Sequence, residues 1–218
     1  MSACCSGGFL AAAAHNFDAA AAVGELARYA HSGPLPSTRL LRDAVLAQGP
    51  LGSVLDVGAG VGVLTLVLHA AGCPRALVVD ASPAFVAAAR AAIAERGHAT
   101  RAEVREGDLV ALAGELPRVD AVVMDRVVCC YPEPAPLLAA ALGRAERVFA
   151  YSYPHDRGYM RLFDWLLNTQ RAWRDNPFRT FVHDPVAMAA LIERAGFERV
   201  SRGTTLAWCV DTYLKSPR

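Results

Sequence analysis

VLDVGAGVG, at residues 54–62, is the stretch that decides the fold. Its first four residues form a short apolar run of the kind found in buried strands, and its glycines then allow a tight turn. An apolar segment with helical spacing, predicted as a helix over Val63–Ala71, follows at once. The order strand, glycine turn, helix is typical of the first unit of a parallel α/β sheet.

The chain beyond this turn continues to alternate short apolar runs with longer Ala-rich segments. This alternation predicts further βαβ units, followed by two more helices and a closing hairpin. The predicted strands are Ser53–Val57, Ala76–Asp80, Ala102–Glu106, Ala121–Asp125 and Arg147–Ser152, with the hairpin at Glu198–Arg202 and Leu206–Tyr213. The further predicted helices are Pro83–Glu95, Ala135–Arg144, Gly158–Trp173 and Pro185–Ala195.

Two helices are also predicted ahead of the sheet, over Phe17–Ala30 and Thr38–Gln48, because apolar residues recur there at helical spacing. A break rich in proline and glycine at residues 32–36 separates these helices. We therefore expect an N-terminal helical cap segment at residues 1–50 and one α/β domain at residues 51–218.

The composition excludes several classes of protein. Lys and Arg number 22 and Asp and Glu number 21, so the net charge is +1, without the basic excess that nucleic-acid binding demands. No apolar run reaches the roughly 18 residues of a membrane-spanning helix, and the N-terminus lacks the basic leader of a signal peptide. The six cysteines show no CxxC or framework spacing. We expect a cytoplasmic protein with free thiols and with no nucleic-acid or membrane partner.

The glycine spacing argues against a dinucleotide cofactor. A dinucleotide motif places its third glycine at position 63, which is Val63 here, and the glycine falls at position 62 instead. Asp56 stands two residues before the first glycine, where its carboxylate suits a ligand amine and would repel a pyrophosphate. A cofactor that carries an amino acid therefore fits this loop better than NAD.

Two further carboxylates follow the next two predicted strands. Asp80 ends the second strand, where its side chain can accept hydrogen bonds from both hydroxyls of a ribose. Asp108 follows the third strand and can accept one from an adenine amino group, with Leu109 packed near the ring. Asp56, Asp80 and Asp108 thus follow successive strands at one edge of the sheet.

With the glycine loop, Asp80 and Asp108 in this order, the chain resembles the class I S-adenosylmethionine-dependent methyltransferases from about Ser53 to Tyr153. The resemblance implies an α/β, Rossmann-like, mostly parallel seven-stranded sheet with an antiparallel last strand, helices on both faces and an N-terminal helical cap. It also implies S-adenosylmethionine as the cofactor and S-adenosylhomocysteine as the product. The residues expected to bind this cofactor are Asp56, Gly58, Ala59, Gly60, Gly62, Asp80, Ala81, Ser82, Asp108, Leu109 and Asp125.

The end of the fourth strand, MDRVVCCYP at residues 124–132, is expected to face the reactive methyl group. It lacks the Asn/Asp-Pro-Pro-aromatic motif of enzymes that methylate nucleic-acid amino groups, which favours a small-molecule acceptor, with oxygen as the first choice of atom. The candidate catalytic residues are Asp125, Arg126 and His155, although methyl transfer can proceed by orientation alone. The enzyme is expected to be a monomer or a homodimer.

Two other functions compete with this one. The pairs Cys4-Cys5 and Cys129-Cys130 would allow a thiol or metalloid methyltransferase with a thiolate site, although adjacent cysteines suit one tetrahedral ion poorly and no other metal site is expected. A non-catalytic module that binds S-adenosylmethionine is the alternative of another class. The aromatic residues Phe163, Trp165, Trp173 and Trp208 fit either the wall of a substrate pocket or the core.

Overall fold

The computed structural model describes residues 3–216 of the chain, and side chains from residue 8 onward. Within them, seven strands form one sheet. The strands are β1 (Val54–Val57), β2 (Ala76–Asp80), β3 (Ala102–Glu106), β4 (Val119–Met124), β5 (Ala145–Pro154), β6 (Phe197–Thr204) and β7 (Trp208–Lys215). The helices are α1 (Ala3–Asn16), α2 (Ala19–Ser32), α3 (Pro36–Leu46), α4 (Val63–Ala70), α5 (Pro83–Glu95), α6 (Leu109–Leu112), α7 (Pro134–Arg144), α8 (Gly158–Trp173) and α9 (Pro185–Arg194).

The strand order is β3-β2-β1-β4-β5-β7-β6. Strands β1 to β5 pair in parallel, and β7 lies between β5 and β6 with antiparallel pairing to both. This is the predicted mostly parallel seven-stranded sheet with an antiparallel last strand, which is therefore confirmed. The order reverses between β1 and β4, and in such sheets ligands bind outside the carboxyl ends of the strands at that point.

Alternate residues of the inner strands bury their side chains on opposite faces of the sheet, as expected for a sheet covered by helices on both sides. In β1, Val54 packs into one apolar cluster with α3 and α4, whereas Leu55 packs into the other with α7 and α9. Leu41 and Val45 of α3 are fully buried, so the N-terminal segment contributes to the core. The division of the chain at residue 50 stays a prediction. No helix among residues 3–216 is long and apolar enough to cross a membrane.

Most predicted elements match the observed ones to within three residues. Three elements were not predicted: α1, the short helix α6, and a 3-10 turn over Val128–Cys130. Helix α1 is rich in Ala, Gly and Cys and has no carboxylate in its first turn, so it lacks the polar and apolar alternation that identifies a helix in a sequence. The other two elements are a single turn each, which is too short for periodicity to show.

Candidate functional site

A cleft opens at the carboxyl ends of β1, β2 and β4, beneath helices α1 to α3. Eight of the predicted site residues line this cleft: Asp56, Gly58, Ala59, Gly60, Asp80, Ala81, Asp125 and Arg126. Five do not line it: Gly62, Ser82, Asp108, Leu109 and His155. The chain therefore brings the glycine turn and three of the four predicted aspartates together in one place.

The glycine turn is held in a left-handed conformation that other residues adopt only with strain. Gly58 and Gly60 have φ of 58° and 60°. A Cβ atom on Gly58 would lie 2.6 Å from Cγ2 of Val127, whereas one on Gly60 would meet Phe85 at an ordinary 3.5 Å. Gly58 is thus required for close packing against the loop after β4, and Gly60 mainly for its conformation.

Asp80 joins this turn to the end of β2. Its Oδ2 accepts a hydrogen bond from the backbone amide of Gly60 at 2.8 Å, and its Oδ1 accepts one from the amide of Ser82 at 2.9 Å. Burial raises the pKa of Asp80 to about 6, against the effect of these amides. Ser82 accepts a hydrogen bond from the Phe85 amide at the start of α5 and donates one to the Phe17 carbonyl, so it supports the site from behind.

Asp56 is the buried carboxylate at the base of the cleft. Its Oδ2 accepts hydrogen bonds from the amide and the hydroxyl of Thr65, at 3.1 and 2.7 Å. Its Oδ1 is buried and has no hydrogen-bond partner among the described residues. Burial raises the pKa of Asp56 to about 7, although the Thr65 hydroxyl opposes this shift. A buried acceptor without a partner is costly, so this oxygen is suited to a donor from a ligand.

Asp125 and Arg126 follow β4 and connect the sheet to the N-terminal helices. Thr38 Oγ1 donates to Asp125 Oδ2 at 2.5 Å, and Ser152 Oγ donates to Oδ1 at 2.6 Å. Arg126 has a φ of 61°, and its guanidinium lies 3.7 Å from Asp125 and 3.6 Å from Glu25. A non-glycine residue in this conformation persists only where the surroundings fix it, as is common at functional sites.

Further side chains in the cleft were not predicted, and most of them come from the N-terminal helices and from the loop before α9. Phe9, Phe17 and Phe178 form an aromatic wall, in which the rings of Phe17 and Phe178 meet edge to face at 5.0 Å. The remaining unpredicted lining residues are Ala13, Glu25, Arg28, Thr38, Val63, Leu64 and Phe85, and they are joined by Val127 and Cys130 from the stretch that was expected to face the methyl group.

Both carboxylate oxygens of Asp108 accept hydrogen bonds from groups of the protein itself. Its Oδ1 accepts a hydrogen bond from the Val110 amide at the start of α6, and its Oδ2 accepts one from the Tyr131 hydroxyl at 2.6 Å. Burial raises the pKa of the Tyr131 hydroxyl, which keeps it protonated as the donor. Leu109 is buried in the core. Their adenine-binding roles stay predictions.

His155 also lies away from the cleft. One ring nitrogen is 2.9 Å from the Thr205 carbonyl and the other is 3.1 Å from the sulfur of Cys209, so both face the closing hairpin. Its role as a catalytic base stays a prediction, with no support from this placement.

The two cysteine pairs are described only in part. The side chains of Cys4 and Cys5 lie outside the described residues. Cys129 and Cys130 have their sulfur atoms 3.9 Å apart in the 3-10 turn, with Cys130 in the cleft and Cys129 buried. The hydrogen bond with Cys130 and burial both raise the pKa of the Cys129 thiol. Among the described side chains, no three His, Cys, Asp or Glu residues are arranged to hold a metal ion.

The aromatic residues of α8 neither line the cleft nor fill the core, and instead border an open depression lined by α8 and Arg174 alone. Phe163, Trp165 and Trp173 are 53%, 60% and 84% exposed. Trp208 is half-buried at the start of β7, and it does not line the cleft either. The core interpretation of the α8 residues was wrong, because they lie on the outward side of the helix, whereas their role in a substrate pocket stays a prediction.

Comparison with known proteins agrees with this geometry. Residues 54–150 match the family model described as a methyltransferase domain. None of the curated proteins matches the sequence. The predicted methyltransferase domain is thus confirmed over residues 54–150, where the family model matches.

Solved structures share the fold at low sequence identity. A magnesium protoporphyrin IX methyltransferase from Synechocystis PCC 6803, with bound S-adenosylhomocysteine, is 19% identical, with a TM-score of 0.68 over 83% of this chain and 82% of that one. An O-methyltransferase family protein from Burkholderia thailandensis is 16% identical, with a TM-score of 0.66 over 83% and 55%. The N-methyltransferase NodS from Bradyrhizobium japonicum WM9 is 14% identical, with a TM-score of 0.60 over 83% and 94%.

Proposed function

We propose that this chain, whose residues 54–150 match a methyltransferase domain, transfers a methyl group from S-adenosylmethionine to a small-molecule acceptor, with oxygen as the atom methylated. The observation that carries the proposal is the unpartnered Oδ1 of Asp56, in the same cleft as the glycine turn and Asp80. A cytoplasmic location and the absence of a nucleic-acid partner stay predictions.

The cleft fits the donor at its amino-acid and ribose groups. Burial disfavours the ionised form of the Asp56 carboxyl group. The ammonium group of a bound donor would favour the ionised form again by electrostatic attraction. Asp80 uses one hydrogen bond on each oxygen and so retains capacity to accept from two ribose hydroxyls. When bound, S-adenosylmethionine supplies an electrophilic methyl group on a sulfonium.

The acceptor side of the cleft combines an aromatic wall with a fixed carboxylate. Phe9, Phe17 and Phe178 exclude water and suit a flat or apolar acceptor. Asp125 is held on both oxygens by Thr38 and Ser152, so its orientation is fixed while lone pairs remain for a substrate hydroxyl. Such positioning supplies much of the rate in a displacement reaction.

A second candidate is methyl transfer to a thiol or a metalloid. One observation favours it, namely the 3.9 Å separation of the Cys129 and Cys130 sulfurs with Cys130 in the cleft. The raised pKa of Cys129 opposes it, because the thiolate is the form that binds soft ions. Oxygen therefore remains the first choice.

The test is transfer of label from methyl-tritiated S-adenosylmethionine to a panel of small hydroxyl, amine and thiol compounds. We expect hydroxyl compounds to be labelled, and Asp125→Asn to lower the turnover at least about tenfold, since the acceptor loses its oriented partner. Asp120→Asn is the matched control, because Asp120 lies on β4, which Asp125 follows, and its side chain bonds only to the backbone amides of Gly52 and Ser53. Labelling of thiol compounds alone, or a chain that binds donor and labels nothing, would refute the proposal.

A further inference from the structure

Helix α8 packs against the protein through a mainly polar side, on which Met160 is the one buried residue of the helix. The side chains of Asp164 and Asn168 both bond to Thr180: Thr180 Oγ1 donates to Asp164 Oδ1 at 2.5 Å, and Asn168 Nδ2 donates to the Thr180 carbonyl at 2.8 Å. Arg171 donates to the same hydroxyl at 3.0 Å. These contacts hold the loop that carries Phe178 into the cleft, and they turn the apolar side of α8 outward.

The outward side of α8 is a largely apolar face, in which Gln170 is an exposed polar residue. Its six large apolar residues are each about half exposed or more: Tyr159 48%, Leu162 57%, Phe163 53%, Trp165 60%, Leu166 51% and Trp173 84%. Because an aromatic side chain presents about 150–250 Å² of surface, these residues together leave on the order of 600 Å² open. That area lies at the upper end of the largest apolar patch on a typical monomer, about 300–600 Å², and approaches the roughly 800 Å² that each partner contributes to a standard protein interface.

The spacing on this face is that of a helix that pairs with another helix. Tyr159, Leu162, Leu166, Thr169 and Trp173 follow one another at intervals of three and four residues, as the seam positions of a coiled coil do. Within α8, all of which the structure describes, no charged side chain interrupts the face, so two such faces can meet without repulsion or burial of a charge.

The face is also complementary to itself. Tyr159 and Trp173 each stand seven residues from Leu166, so a two-fold axis at Leu166 sets Tyr159 of one copy against Trp173 of the other in an antiparallel pair.

The charges around the face favour a protein over a lipid surface. Arg157, Arg161 and Arg174 are balanced in part by Asp156 and Asp175, and Arg161 is paired with Asp156 at 2.7 Å. An anionic membrane would instead select a basic border without carboxylates. We propose that two copies of this chain associate through their α8 faces, antiparallel, about a two-fold axis at Leu166.

The test is sedimentation equilibrium of the full chain across the micromolar range. The unmodified protein should be a dimer, and Leu166→Glu should weaken association about a hundredfold or more, because the two introduced charges meet on the axis. Val186→Glu is the matched control, since Val186 is 76% exposed on a different helix, α9, and should leave the dimer intact. Both substitutions are at exposed or half-exposed positions, and thermal melting checks that each variant is folded.

A cross-link tests the register separately. A cysteine at the two-fold axis meets its own copy, so Leu166→Cys should form an intermolecular disulfide under mild oxidation, and Val186→Cys should not. A monomeric protein, a Leu166→Glu variant that still dimerises, or a folded Leu166→Cys variant that links no faster than Val186→Cys would each overturn the proposal. The proposal would also be overturned if the protein were a monomer that cosediments with vesicles of phosphatidylglycerol and phosphatidylcholine, and if Leu166→Glu abolished that cosedimentation.

Discussion

The carboxylate of Asp80 and the backbone amide of Gly60 are joined by a hydrogen bond of 2.8 Å, which ties the end of β2 to the glycine turn after β1. The position of the turn therefore depends on the same side chain that is proposed to bind the ribose of the donor. Loss of the Asp80 side chain should therefore affect both the position of the glycine turn and the binding of the donor.

Asp80→Ala should weaken binding of S-adenosylhomocysteine by about 1.5–3 kcal/mol, the usual cost of losing hydrogen bonds to a charged group. Calorimetry measures this loss directly. Glu106→Gln is the control, because Glu106 ends the neighbouring strand but is exposed and outside the cleft. Equal affinity of Asp80→Ala and the parent, with both folded, would remove Asp80 from the site.

Gly58→Ala should destabilise the fold more than Gly60→Ala. At both positions the positive φ costs a side chain about 1–2 kcal/mol, and at Gly58 the clash with Val127 adds about 1–3 kcal/mol. Urea unfolding of the two variants measures the difference. Val127→Ala should restore part of the loss in Gly58→Ala but none in Gly60→Ala, and equal losses at the two glycines would show that Val127 does not press on the turn.

The free energy of unfolding without ligand should fall between pH 6 and pH 7 through Asp56. Its pKa is raised from 3.8 to about 7, so in this range the folded state holds a proton that the unfolded state has released. Stability is then lost as the pH rises, by up to about 1.4 kcal/mol per pH unit. Asp80, with a pKa of about 6, contributes mostly below this range.

Urea unfolding at several pH values, in the parent and in Asp56→Asn, isolates this effect because all other groups are common to both. The variant should be the more stable of the two at pH 7 and above, and it should bind S-adenosylhomocysteine less tightly. Parallel pH dependence in the two proteins would mean that Asp56 is ionised in the free enzyme.

Cys130 should be alkylated by iodoacetamide before the other described cysteines, and S-adenosylhomocysteine should protect it. It lines the cleft, whereas burial raises the pKa of Cys73 and Cys209, and that of Cys129 is raised as well, which slows their reaction. Peptide mass spectrometry measures each rate, with Cys4 and Cys5 replaced by serine to simplify the signal. Rapid, protected labelling of Cys129 would instead favour the thiol or metalloid reaction.

The sheet and the donor side of the cleft were predictable because their signals are local. The glycine turn, Asp56 and Asp80 stand at strand ends that hydrophobic patterns mark within a few residues. Thr38 was not predictable in this way, since it meets Asp125 across 87 positions of the chain. The hydrogen bond between Asp108 and Tyr131 was not predictable for the same reason, because it joins residues 23 positions apart in the chain.

Helix α8 shows a second limit of sequence patterns. Its periodicity predicts the helix correctly, but not that Phe163 and Leu166 face outward while Met160 is buried. Polar residues normally face water, and here they face inward because Thr180 satisfies them. Only the tertiary structure shows such a reversal.

The position of β7 between β5 and β6 has a consequence for biosynthesis. Chains emerge from the ribosome N-terminus first, so β5 is made long before the strand that covers its edge. Until residue 215 has emerged, the apolar β5 sequence VFAYSY at residues 148–153 has an unpaired edge, which is the kind of surface that recruits chaperones or other nascent chains. Slower translation of the last seventy or so residues leaves this edge exposed for longer. We therefore expect the rate of translation there to influence the fraction of the protein that reaches its folded state.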